Sequence, residues 1–206
     1  VMDEMIDFSH MTADCFLTDF VPRPFDLKRM KKAFTTWQKG LEGKGWNALY
    51  IENHDHPRII SRYGSEQYWK ESGKMLAAMY MLQRGTPFIY QGQEIGMLNI
   101  ALPRLDMYKD VMTFNAARIA GKLMPKGRVL KLIQARSREN SRTPMQWSGE
   151  ANAGFSTAAP WFYVNSNYHT INVRAEEDDP DSILNFYRRL IKFKKENPVA
   201  IYGSYN

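Results

Sequence analysis

Three short apolar runs, Met5-Ile6-Asp7-Phe8, Ala48-Leu49-Tyr50-Ile51 and Pro87-Phe88-Ile89-Tyr90, alternate with stretches patterned as helices. This alternation constrains the chain more than any other feature it has. A short apolar run bounded by turn signals is the pattern of a buried strand. Strand, helix, strand, helix, strand implies parallel strands joined by helical crossovers, an α/β architecture. The second and third runs end abruptly in polar turns, at Asn53-His54-Asp55 and at Gln91-Gly92-Gln93-Glu94.

The helical stretches have readable ends. Asp26 stands at an N-cap position ahead of Leu27, Met30, Phe34, Trp37 and Leu41, which recur at helical spacing, and Gly43 and Gly45 stop the helix. Lys28, Arg29, Lys31, Lys32 and Lys39 fall mainly on its other sides as a solvated face. Trp46 to Glu52 is expected to be a strand. From Gln67 to Arg84 comes a second helix whose Met75–Leu82 run is apolar on nearly every side, with its methionines as core filler. Residues 91–180 turn irregular, with helices expected over 106–120 and 127–136. So long a stretch between strand and helix reads as a functional insertion. A last helix is expected to open at Asp179-Pro180, bury Ile183, Phe186, Tyr187, Leu190 and Ile191, and end at Asn197-Pro198.

Composition narrows the function classes. The 206 residues are 44% hydrophobic and 13% aromatic, which suits a packed core and excludes disorder as the main reading. The net charge of +6 comes from 28 basic and 22 acidic side chains spread over several segments, so no nucleic-acid partner is expected. The single cysteine, Cys15, allows no internal disulfide and fits a reducing, cytoplasmic location. No run approaches the roughly 18 apolar residues of a membrane span, so no membrane partner is expected. A start at Val1 inside a strand-like run and a stop at Gly203-Ser204-Tyr205-Asn206 suggest part of a longer protein.

Asn53-His54-Asp55 is the first candidate site. At the carboxyl end of a strand the backbone turns, and neighbouring side chains can face one cavity. An imidazole beside a carboxylate can grip sugar hydroxyls from two sides. The same three residues also suit a helix cap with a satisfied histidine. A longer pattern decides between them. Ile51 to Gly64, Gly85-Thr86-Pro87-Phe88-Ile89-Tyr90-Gln91-Gly92-Gln93-Glu94-Ile95-Gly96-Met97 and Ser137-Arg138-Glu139-Asn140-Ser141-Arg142-Thr143-Pro144-Met145-Gln146-Trp147 closely resemble the α-amylase superfamily of glycoside hydrolases. Asn152-Ala153-Gly154-Phe155 and Pro160-Trp161 follow in the same order. The last block resembles the oligo-1,6-glucosidase and α-glucosidase branch, which also holds trehalose-6-phosphate hydrolases and sucrose isomerases. The likeness covers essentially the whole chain.

The resemblance implies a partial (β/α)8 TIM barrel running from about strand six to helix eight. Residues 91–180 would be a long loop or subdomain after strand eight, and 199–206 the start of a linker to a β-domain. It implies a retaining glycosidase acting on small oligosaccharides. Asp55 would be the catalytic carboxylate that binds hydroxyls of the distorted sugar, with His54 and Arg138 contacting the same sugar. Phe8 is a candidate aromatic platform at the next subsite. For Arg58, Arg62 and Arg142, structural ion pairs are at least as good an account. Met112 stands where relatives commonly carry a glutamate, and Glu139 replaces a common aspartate. The nucleophile and the general acid, at the ends of strands four and five, would lie outside these residues. So would the family's calcium site, and no cofactor or metal is expected in this segment. Residues 1–206 alone are expected to be inactive. Phe25-Asp26-Leu27-Lys28-Arg29 lacks the arginine-rich motif of sucrose isomerases, which speaks against isomerisation. A non-catalytic glycosidase-like heavy chain of an amino-acid transporter is the rival from another class, and His54, Asp55 and Arg138 speak against it.

Overall fold

Residues 4–205 are described by the computed structural model, so Val1, Met2, Asp3 and Asn206 lie outside it. Three strands form one parallel sheet in the order β1-β2-β3: Glu4–Ile6, Trp46–Leu49 and Thr86–Pro87. Glu4 lies opposite Trp46, and Ala48 opposite Thr86. Parallel neighbours need long crossovers. Helix α1 (Leu27–Gly40) supplies the first, and α2 (Ile59–Tyr63) with α3 (Trp69–Met81) the second.

The strands are shorter than the apolar runs, for local reasons. β1 stops at Ile6, which is 53% exposed, because no further strand pairs with its outer edge among the described residues. Phe8 lies beyond it, at the start of a 3-10 turn over Ser9–Thr12. Tyr50, Ile51 and Glu52 stay buried past the end of β2, outside the strand ladder. In β3, Pro87 has no amide to donate, and the last ladder-like bond is Phe88 N to Leu49 O at 2.7 Å.

Helix boundaries follow their caps. Asp26 accepts the Lys28 and Arg29 amides, so α1 begins where the sequence pattern placed it. Its buried side is Met30, Ala33 and Gln38, while Leu27 is exposed. The apolar surround of α3 is only partly covered: Leu76, Ala77, Tyr80 and Met81 are buried, but Met75 and Leu82 face outward. The expected helix over 106–120 splits into a 3-10 turn at Leu105–Met107 and α4 (Val111–Ala120). Asp110 resets the start by accepting the Met112 amide. Helix α5 spans Lys126–Arg136. The last long helix, α7, runs Ile183–Glu196 and not from Pro180. Ser182 caps it by accepting the Asn185 amide at 3.0 Å, while the Asp179 side chain is spent on the Asp181 amide and Lys70. Three short helices have no counterpart in the periodicity, α2, α6 (Val173–Glu177) and α8 (Pro198–Tyr202). Pro198 both ends α7 and opens α8.

Two main cores divide the work. Leu49, Ile51, Ile60, Tyr80, Ile183 and Tyr187 pack the sheet ends against α3 and α7. Ile100, Tyr108, Ala120, Val129, Ile133 and Phe162 form a second core around α4 and α5. This second core makes the stretch after β3 a packed unit that faces the carboxyl end of β2.

Candidate functional site

β2 delivers the site. Beyond Glu52 the chain turns, and Asn53 Oδ1 accepts the Asp55 amide at 2.8 Å, an Asx turn that the residue types favour. The Asp55 side chain emerges 46% exposed, with His54 Nε2 3.4 Å from its Oδ2. Underneath, Glu52 and Arg58 are sealed from solvent and pair at 3.2 Å. Glu52 also accepts the Ile59 amide at 2.7 Å, which caps α2 and explains why a helix starts directly after Pro57.

The second contributor is a 3-10 turn over Arg138–Ser141, with Arg138 at one end and Arg142 just past the other. Asp55 Oδ1 accepts Arg142 Nη2 at 2.9 Å and Arg138 Nη1 at 3.3 Å. Both arginines also reach Asp110 Oδ2, at 2.7 Å from Arg138 Nε and 3.3 Å from Arg142 Nη1. Arg142 Nε donates to His54 O at 2.8 Å. Two carboxylates and two guanidiniums therefore balance in charge. Burial acts to raise the Asp110 carboxyl, but the Arg138 guanidinium and the Met112 amide outweigh it and hold it below its ordinary value. The hydrogen bond to Asp110 keeps Arg138 charged still more firmly than usual. Asp55 Oδ2 is left facing His54 and solvent, a carboxylate oxygen available to a hydroxyl donor.

The third loop fastens the turn. Tyr90 OH and Gln91 Nε2 both donate to Ser141 O, at 3.0 and 3.2 Å. Gly92 lets the chain make that loop, since its φ of 83° is left-handed and an added Cβ would sit 2.2 Å from Met97 Sδ. Gln93 turns inward and donates to Tyr187 OH at 2.7 Å, so it orients the loop.

Of the residues singled out in the sequence, His54, Asp55 and Arg138 meet here. Phe8 shares with His54 the lining of a cavity of about 300 Å³ across the carboxyl ends of the strands. Its ring is 53% exposed and lies edge-on to Tyr50 at 5.5 Å. Arg58 and Arg62 are structural ion-pair residues, held by Glu52 and by Asp14 with Asp19. Arg142 is also an ion-pair residue, and its partners are Asp55 and Asp110. Asp110 is a site residue that no sequence motif singles out, because its partnership with Arg138 joins segments 28 residues apart. Glu139 is buried and accepts the Lys109 amide at 2.6 Å, so it anchors the backbone beside Asp110 and does not reach toward the cavity. Met112 is half exposed on the first turn of α4. Among the described residues, no group of three or more His, Cys, Asp or Glu side chains gathers to hold a metal ion.

Known proteins resemble this chain in sequence and in fold. A family model for the α-amylase catalytic domain matches residues 3–203. The oligo-1,6-glucosidase of Parageobacillus thermoglucosidasius is 46% identical over 187 residues, covering 89% of this chain and 33% of that enzyme. A crystal structure of Bacillus licheniformis trehalose-6-phosphate hydrolase superposes with a TM-score of 0.93 at 40% identity, covering 98% of this chain and 37% of the other. Isomaltulose synthase from Klebsiella sp. LX3 superposes equally well, with a TM-score of 0.93, 32% identity, and coverage of 99% of this chain and 38% of the other. The chain thus spans about a third of the length of the curated relatives it matches.

Proposed function

This chain belongs to the α-amylase catalytic-domain family, and on that premise we propose that it forms part of a retaining, exo-acting α-glucosidase of the oligo-1,6-glucosidase and α-glucosidase branch. Its substrates are short oligosaccharides with terminal α-1,4- or α-1,6-linked glucose. The supporting observation is the convergence of His54, Asp55, Arg138 and Arg142 at the carboxyl end of β2. In a barrel enzyme that end is where the chemistry is mounted.

In this reading Asp55 Oδ2 accepts hydroxyls of the sugar as its ring flattens toward an oxocarbenium ion, contacts that tighten in the transition state. Arg138 and Arg142 hold the Asp55 carboxylate in place and aim it. His54 binds the same sugar from the other side, and Phe8 offers a ring face to the neighbouring unit. The nucleophile and the acid that protonates the leaving oxygen come from sequence outside residues 1–206, as do the other strands of the barrel. A methionine at position 112 offers a sugar hydroxyl no strong acceptor, which weakens selection for the α-1,6 linkage. The single, buried Cys15 supports a cytoplasmic location, and no helix among the described residues is long and apolar enough to cross a membrane.

Isomerisation of sucrose is the second reading, since an isomaltulose synthase superposes as well as a trehalose-6-phosphate hydrolase does. Turnover of maltose, isomaltose, sucrose and p-nitrophenyl α-glucoside by the intact protein separates the two. Hydrolysis to glucose is expected, and Asp55→Asn lowers kcat by about 10²-fold or more, the scale of losing one preorganised transition-state contact. Wild-type kcat in that variant removes Asp55 from the mechanism.

A further inference from the structure

The loop that carries Asp55 is held on its far side by an ion network, and the network meets the loop at His56. His56 Nδ1 lies 2.8 Å from Asp19 Oδ2. Asp19 Oδ1 accepts Arg62 Nη2 at 2.7 Å. Arg62, almost sealed from solvent, also forks onto Asp14 at 2.7 and 3.0 Å and donates to Met11 O at 2.7 Å. Arg136, at the end of α5, donates to the same Asp14. The carbonyl of His56 accepts the Ser141 hydroxyl, and Ser141 closes the turn that begins with Arg138.

The residue after Asp55 is therefore fixed twice, by its ring to Asp19 and by its carbonyl to the arginine-bearing turn. Asp14 and Asp19 face Arg62 and Arg136, and the imidazole adds a further donor to Asp19. Arg62 Nη1 is 3.2 Å from the same Nδ1. A guanidinium can only donate, so a proton on Nδ1 aimed at the nearer carboxylate makes the Asp19 contact the hydrogen bond.

We propose that His56 is a positioning residue for Asp55, with Asp19 as its anchor. Resting on the α-glucosidase reading, this assigns His56 to catalysis without contact with the sugar. Asp55 Oδ1 must stay within reach of two guanidiniums while Oδ2 faces the substrate. A shift of about 1 Å in such a group costs on the order of 10²-fold in rate.

The test uses the intact protein and p-nitrophenyl α-glucoside. His56→Ala is expected to lower kcat by roughly 10- to 100-fold, the scale for lost supporting contacts, with KM changed far less. His56→Asn, whose amide can place an N–H near the Nδ1 position, regains most of the loss. Asp19→Ala matches His56→Ala, and the double variant is no worse than either alone, as for partners in one interaction. If His56→Ala does not fold, His56→Gln, whose donor is displaced from the Nδ1 position, takes its place in the comparison. Unchanged kcat in the His56 variant, or a loss that His56→Asn leaves in place, overturns the assignment while the glucosidase reading stands. A parent protein inert on every glucoside removes both.

Discussion

Asp55 Oδ1 takes two guanidinium donors, and Arg142 makes the shorter contact, at 2.9 Å against 3.3 Å for Arg138. Removing Arg142 frees the carboxylate on one side and leaves the His54 carbonyl without its donor. Arg142→Ala is expected to lower kcat/KM on p-nitrophenyl α-glucoside by about 10- to 100-fold, and Arg142→Lys recovers little because an ammonium lacks the planar fork that reaches Asp55, Asp110 and the His54 carbonyl at once. Away from the site, burial raises the Glu176 carboxyl from 4.5 to about 7, against two amide bonds from the start of α7 that lower it. The folded chain thus holds this proton between pH 4.5 and 7 when the unfolded chain has released it. Stability from this group falls as pH rises through that window and levels off above it, by at most on the order of 3 kcal/mol. Glu176→Gln removes the penalty. Melting temperatures of the two forms are expected to move in favour of the variant from pH 5 to pH 8, and a constant difference would show that Glu176 does not titrate there. At this scale the motifs made His54, Asp55 and Arg138 visible. Arg142 was legible only as an ion-pair candidate and its partner Asp110 was not, because their pairing depends on a tight 3-10 turn meeting a helix cap thirty-two residues earlier in the chain.

Helix ends show the same division at the scale of elements. Asp26 caps α1 as its residue type and place imply, and Asp26→Ala is expected to cost about 1 kcal/mol in urea unfolding. The end of α3 is secured from a distance. Lys194 on α7 is buried and donates to Met81 O at 2.8 Å, Gln83 O at 2.5 Å and Ala200 O at 3.2 Å. One ammonium therefore satisfies carbonyls that a helix terminus leaves open. Lys194→Met keeps the apolar stem but strands those acceptors, and a loss of about 2–3 kcal/mol is expected from the same titration. A midpoint unchanged by the substitution would mean that water serves the carbonyls instead. Lys194 falls on the stripe of Ile183, Tyr187 and Leu190, so helical periodicity already turns it inward, and the packing of α7 on α3 decides which carbonyls it meets. Asp179-Pro180 shows the converse, a good local start signal that lost to Ser182 once Lys70 engaged Asp179.

The whole molecule is a three-stranded parallel sheet whose two outer strands each have one partner among the described residues. Ile6, Phe8 and Phe88 stand exposed beside the cavity at the strand ends. Free edges and an apolar face of this kind favour association. Residues 1–206 produced alone are expected to self-associate in sedimentation and to show no glucosidase turnover. A monodisperse, active preparation would contradict the proposed need for further barrel strands. What the sequence determined by itself was the order of strands and helices, the parallel sense of the sheet, and the family of the loops that end β2 and β3. Periodicity, caps and contiguous motifs are local, and they survive in one dimension. What only the tertiary structure decided was which charges meet: Arg142 and Asp110 around Asp55, Asp19 against His56, Lys194 under α3. Those pairings depend on distances between segments far apart in the chain, set when two apolar cores bring their loops together, and no local pattern encodes them.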